Sequence, residues 1–164
     1  MTKPLPIPVT DDHIHIDPVN GRGLEAAKEF QRAGGTHIFL VSKPSWSFGI
    51  TPSKGEDFLP VFEKTLSIAR EIRSLGLVVY PVLGVHPAEI TRLGEVMDLA
   101  RVEEIMKGGL EVAAGLVARG DAVALKSGRP HYEVPVEVLG ASNRILLHAL
   151  ALARDNGCAL QIHA

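Results

Sequence analysis

Five short strand-like runs alternate with segments of helical period, and this alternation narrows the folds open to the chain more than any other feature. The runs fall near residues 6–15, 36–41, 77–83, 121–126 and 158–163. Thr36-His37-Ile38-Phe39-Leu40-Val41 and Leu77-Val78-Val79-Tyr80-Pro81-Val82-Leu83 are largely apolar, as strands are when a parallel sheet is covered on both faces. The intervening periodicity predicts helices near 23–33, 56–75, 93–106, 110–118 and 138–156. Leu24, Ala27 and Phe30 mark one side of the first. Phe58, Phe62, Leu66, Ala69 and Ile72 mark the second, and Leu139, Leu146, Leu150 and Ala153 share a face of the last. Gly34-Gly35, Gly76, Gly108-Gly109, Gly120 and Gly157 stand where these helices should stop. Strand–helix alternation of this kind predicts an α/β fold with a parallel sheet. No linker or low-complexity tract interrupts it, so residues 1–164 are expected to form one domain.

Composition excludes several function classes. A formal net charge of −2 gives no bulk attraction for nucleic acid or membrane, so a nucleic-acid substrate would have to be gripped locally. The single cysteine, Cys158, rules out an intrachain disulfide framework and a cysteine-rich zinc site, and fits a reducing compartment. Met1-Thr2-Lys3-Pro4 lacks the apolar core of a signal peptide, and no apolar run reaches membrane-spanning length. A cytoplasmic protein without a membrane partner is expected.

The chemistry-bearing residues collect at one end of the predicted strands. His13, His15, His86, Lys126, Arg129, His131 and His163 all lie at or just after a strand's C-terminal end. In β/α folds that end carries the active site. His13 and His15, two apart in Asp11-Asp12-His13-Ile14-His15, share a strand face and can approach one divalent metal together. Gly84 permits a close backbone approach before His86, and Pro87 fixes the turn after it. His37 begins a strand and His148 lies inside a helix, which marks both as structural. The loop 42–55 holds the only tryptophan, Trp46, with Phe48 beside it. A loop that long either contacts substrate or is packed down by its two aromatics.

These motifs carry a resemblance. Asp11-Asp12-His13-Ile14-His15-Ile16-Asp17, Gly84-Val85-His86-Pro87 and a fifth-strand His163 resemble the TatD family of metal-dependent hydrolases, within the amidohydrolase superfamily. Gly128-Arg129-Pro130-His131-Tyr132 resembles a TatD-related branch of it. The resemblance implies a (β/α)8 TIM-barrel type of fold, of which this chain would supply about five of eight units. It also implies one or two divalent ions, and hydrolysis of phosphodiesters, often in DNA. Zinc is the first choice of metal, with manganese or magnesium as alternatives. By the same resemblance His13 and His15 are first-strand metal ligands, His163 is the ligand of the second metal, and His86 lies near the substrate phosphate with a part in catalysis; Lys126 is expected to join the metal and the catalysis only if carboxylated, and Arg129 and His131 to contact substrate. The substrate would be a small-molecule or nucleic-acid phosphodiester.

Two departures from the family pattern matter. Lys126 stands where the family usually has a metal-bridging glutamate. It is either carboxylated on its amine, as in relatives elsewhere in the superfamily, or a plain cation that repels metal, pairs with Asp11 or contacts a phosphate. In addition, a barrel of this type typically takes about 250 residues, and five strands consume this sequence. The chain is therefore expected to be completed by a C-terminal half, by another chain or by its own copy. Rival functions are a C–N amidohydrolase using a carboxylated lysine, a phosphatase of the polymerase-and-histidinol-phosphatase group, and a non-catalytic remnant or half of a two-chain assembly.

Overall fold

The computed structural model describes residues 7–163. The readings placed on residues 1–4, on Pro6 and on Ala164 lie outside the described residues. Five strands, β1 (Thr10–Ile14), β2 (His37–Val41), β3 (Val78–Gly84), β4 (Ala124–Gly128) and β5 (Ala159–His163), form one sheet in the order β1-β2-β3-β4-β5, every pair parallel. The helices are α1 (Leu24–Arg32), α2 (Leu59–Ser74), α3 (Glu89–Gly94), α4 (Leu99–Ala118) and α5 (Val136–Asp155). Sequential parallel neighbours joined by helices make a curled half-barrel of the TIM type, as the strand–helix alternation predicts.

Alternation of side chains along each strand sorts the residues into two faces. Ile38, Leu40, Val79, Leu83 and Leu125 are buried beneath the helices, with Phe58 and Phe62 from the second crossover and Ile105, Met106 and Leu110 of α4. On the concave face Val41, Val82 and Ala124 form a smaller apolar layer with Phe39. Register places Gly84, Lys126 and Gln161 side by side in the next layer up. A Cβ on Gly84 would collide with the Lys126 carbonyl, and one on Gly128 with the His163 carbonyl, so both strand ends close up only because these residues are glycine.

Four readings of the helices change. One continuous α4 replaces the two helices expected around Gly108-Gly109, because those glycines lie mid-helix where the backbone of Gly55 packs against them. A short separate helix, α3, precedes it. In α5 the buried residues are Ala141, Ser142, Ile145, Ala149 and Ala153, whereas Leu139 and Leu150 are exposed. α5 is also long and apolar enough, by length and composition alone, to cross a membrane, contrary to the reading that no segment is. Here it packs against α4, β4 and β5.

Candidate metal and phosphate site

The first strand ends in a local irregularity that turns its histidines inward. Pairing of β1 with β2 slips between Asp11 and Ile14. Asp11 stabilises the kink by accepting the His13 backbone N–H at 3.1 Å. The His13 and His15 rings then meet edge to face, their centroids 5.1 Å apart. The Nδ1 of His15 lies 2.9 Å from the Val41 carbonyl. A carbonyl only accepts, so Nδ1 carries the proton and Nε2 presents a lone pair. This is the tautomer a metal ligand needs, oriented by a backbone acceptor.

His86 has the opposite arrangement. Its Nδ1 accepts the Ala88 backbone N–H at 3.2 Å, which leaves the proton of the neutral ring on Nε2. That N–H suits an anionic oxygen. Its ring lies 4.9 Å from that of His163 and 6.0 Å from that of Trp46, centroid to centroid. The Nε2 of His163 in turn lies 3.0 Å from Nδ1 of His131, which is exposed. The structure thus gathers His13, His15, His86, Lys126, His131 and His163 at the C-terminal mouth of the sheet. Arg129 is exposed at the rim, and its backbone N–H donates to the His163 carbonyl at 2.8 Å.

Lys126 dominates the electrostatics. Its side chain is fully buried and Nζ has no hydrogen-bond partner among the described residues. Desolvation alone pushes its pKa down from 10.5 to about 8. Desolvation and then the Lys126 charge hold the nearby imidazoles neutral: His15 is lowered to about 4 and His86 to about 3, with His13 and His163 lowered as well. Neutral imidazoles keep their lone pairs, so this donor set suits a divalent ion. Among the described residues, no three His, Cys, Asp or Glu side chains are gathered tightly enough to enclose one unaided. An ammonium on Lys126 would oppose a cation there; an uncharged or carboxylated amine would not. On that condition the residues fit a metal.

Residues not singled out by the sequence complete the site. Gln161 donates from Nε2 to the Asp12 carbonyl at 2.7 Å, and its buried Oε1 has no hydrogen-bond partner among the described residues. It lies two residues before His163, so strand period alone pointed to it. Ser42 Oγ donates to the Gly84 carbonyl at 2.9 Å and accepts the Gly84 N–H at 3.1 Å, fixing the ends of β2 and β3 together. Glu89, fully buried, accepts the Ser45 N–H at 2.7 Å and the Ser45 hydroxyl at 3.0 Å. Burial pushes its carboxyl pKa up despite those two bonds. Asp17 pairs with Lys43, joining the loops after β1 and β2, and that contact holds the Asp17 carboxyl well below the usual range. The two aromatics of loop 42–55 divide the roles foreseen for them: Phe48 packs on the main core, and Trp46 stands against His86.

Comparison with known proteins follows the same residues. A family model described as "TatD related DNase" matches residues 10–164. "Uncharacterized protein MJ1127" of Methanocaldococcus jannaschii is 39% identical over 161 residues, which is 96% of this chain and 55% of that protein. This chain therefore spans about half the length of the curated relative it matches. The crystal structure of the TatD-like protein (AF1765) from Archaeoglobus fulgidus aligns at 18% identity with a TM-score of 0.49, covering 93% of this chain and 67% of that one. With the family model spanning every strand and the whole histidine cluster, the chain belongs to the TatD-related DNase family.

Proposed function

We propose that this chain carries the metal-holding and phosphate-binding part of a nuclease-type phosphodiester hydrolase. Its family is one of metal-dependent hydrolases. The observation that carries the reading is the pair of opposite tautomers at neighbouring strand ends. His15 offers a lone pair on Nε2, and His86 offers an N–H.

In this reading His13 and His15 would hold one divalent ion and His163 a second, with a carboxylated Lys126 between them, zinc first and manganese or magnesium next. When bound, the metal acidifies a water and offsets phosphate charge. His86 donates its Nε2–H to a non-bridging phosphate oxygen and orients the ester. Trp46 stands against one side of the His86 ring. His131 and Arg129, both exposed at the rim, meet the outer part of the substrate. Lys126 supplies the missing anion by carboxylation: its uncharged amine adds to carbon dioxide and releases one proton, giving a carbamate beside the imidazoles. The buried, unpartnered Nζ supports this step. The same atom favours one second reading, hydrolysis of a C–N bond in a cyclic amide.

The test begins with metal content. Elemental analysis should find bound metal in the parent chain and less in the His13→Ala/His15→Ala double variant; equal stoichiometry in both would overturn the site. Native mass in bicarbonate should rise by one carbon dioxide, Lys126→Glu should keep metal, and Lys126→Ala should lose it. Metal-dependent turnover of single-stranded DNA would support the nuclease. Turnover of cyclic amides or phosphomonoesters instead would favour the rivals, and inactivity with no metal retained would favour a non-catalytic role.

A further inference from the structure

We propose that the cavity lined by Trp46, whose indole meets the His86 ring, is a nucleobase subsite, with Trp46 as its stacking plate. The cavity measures about 120 Å3, and Trp46, Ile50, Leu93, Val96, Arg92 and Glu95 line it. Ser45, Thr51 and Glu89 complete a lining that mixes apolar and polar walls, with one flat aromatic plate, one guanidinium and two carboxylates, of which Glu89 is already bonded to Ser45. A bare phosphate would make no use of the apolar walls, and a sugar would make little use of the indole face. A planar heterocycle with polar edges uses every part: the faces stack, and the ring substituents reach Arg92 and Glu95.

The plate is built to stay in place. Trp46 lies in a single 3-10 turn, Ser45–Phe48, entered from Pro44 and closed by Gly49 at φ 69°. Ser45 is buried and clamped by both carboxylate oxygens of Glu89, a fully buried acid from α3. Burying a carboxylate is costly unless it is bonded on both oxygens, and here both bonds go to the residue next to Trp46. The indole meets the His86 ring nearly perpendicularly, at 76°. Its ring is also covered by the Arg92 guanidinium, 5.5 Å from the centroid. Arg92 is exposed and free to swing outward, so a base entering there would lie between indole and guanidinium.

The proposal rests on the phosphodiester reading only for the phosphate placed at His86; the base would belong to the nucleotide carrying it. Stacking on an aromatic plate tolerates all bases, which suits a chain whose net charge supplies no general grip on nucleic acid.

Trp46 is the only tryptophan, so its emission reports this ring's surroundings, the cavity on one side and His86 on the other. Titrate the full chain with deoxyadenosine 5′-monophosphate, and separately with deoxyribose 5-phosphate. The nucleotide should change Trp46 emission saturably and by more than the base-free sugar phosphate, whose phosphate reaches only the His86 side of the ring. By calorimetry, Trp46→Ala should weaken nucleotide binding by about 10-fold and Arg92→Ala by about 5-fold. The comparison of the two ligands on the parent chain needs no variant, so misfolding of Trp46→Ala would leave it intact. No emission change up to millimolar nucleotide, or an equal response to the base-free ligand, would overturn the subsite. Metal-dependent hydrolysis of bis(4-nitrophenyl) phosphate tests the phosphodiester reading apart from it. Turnover without a nucleotide response removes the subsite and keeps that reading; a nucleotide response without turnover does the reverse.

Discussion

Gln161 on β5 donates its side-chain N–H to the main-chain carbonyl of Asp12 on β1, at 2.7 Å and across 149 residues of sequence. The two strands are the opposite edges of the sheet, so the bond crosses its concave face and limits how far the half-barrel can open. It also fixes the kinked backbone that presents His13. Gln161→Ala should lower stability by about 1 kcal/mol and weaken metal retention at His13 and His15. Urea unfolding should show a lower midpoint at an unchanged slope. Unchanged stability together with unchanged metal content would mean the bond constrains nothing.

The metal-free chain should gain stability with rising pH in two windows. Lys126 titrates near 10.5 when unfolded and about 8 when folded. Between those values the unfolded chain binds more protons, so stability climbs as pH rises, by about 3 kcal/mol for the shift cited. His15 and His86 fall from 6.5 to about 4 and about 3. Their contribution is present above pH 6.5 and is lost as pH falls through the acid range. Denaturation in the presence of a chelator should show both arms. Lys126→Met should flatten the alkaline arm and shrink the acid arm without abolishing it, because desolvation still lowers the imidazoles once the Lys126 charge is gone.

Glycine substitutions should separate positions of close approach from open ones. A methyl group at Gly84 would meet the backbone of Lys126, which cannot move without shifting β4. Gly84→Ala should cost about 3 kcal/mol or more, or prevent folding. Gly115 lies within α4 with nothing near its missing Cβ. Gly115→Ala should stabilise the chain by up to about 1 kcal/mol. Urea midpoints for the two variants, moving in opposite directions, would check both; a tolerated Gly84→Ala would show that the strands have room.

Much of this arrangement was legible because strand period and placement act locally. His13, His15, His86 and His163 were found by asking which polar residues follow apolar strand runs, and the structure gathers them in one mouth. The stops at Gly34, Gly76, Gly120 and Gly157 were legible too, since all four adopt positive φ. What escaped depends on contacts between distant segments. Gly108-Gly109 reads as a break but serves helix packing against Gly55. Glu89 reads as an ordinary first-turn acid until Ser45 is set against it. The proton positions on His15 and His86 follow from the Val41 carbonyl and the Ala88 amide, one remote and one adjacent. α5 misled for a different reason: it is apolar on two sides, and periodicity alone does not say which side the sheet covers.

That second side of α5 yields the last prediction. Val136, Leu139, Leu147 and Leu150 recur along one stripe of the helix and are 82%, 39%, 64% and 42% exposed. Ile162 of β5, on the neighbouring edge strand, is 53% exposed. A run of large apolar side chains next to an unpaired strand edge favours burial against another surface. The isolated chain should therefore associate through α5 and β5 in solution. Light scattering after size exclusion should give a mass above that of one chain, falling towards it on dilution. The double variant Leu147→Lys/Leu150→Glu should shift the chain to the monomer without loss of helical content, because neither side chain contributes to the buried face formed by Ala141, Ile145, Ala149 and Ala153. The same two changes should leave metal content unaltered, since the histidines stand at the strand ends and not on this helix. A parent chain that is already monomeric at high concentration would refute the prediction, and so would a variant that associates as strongly as the parent.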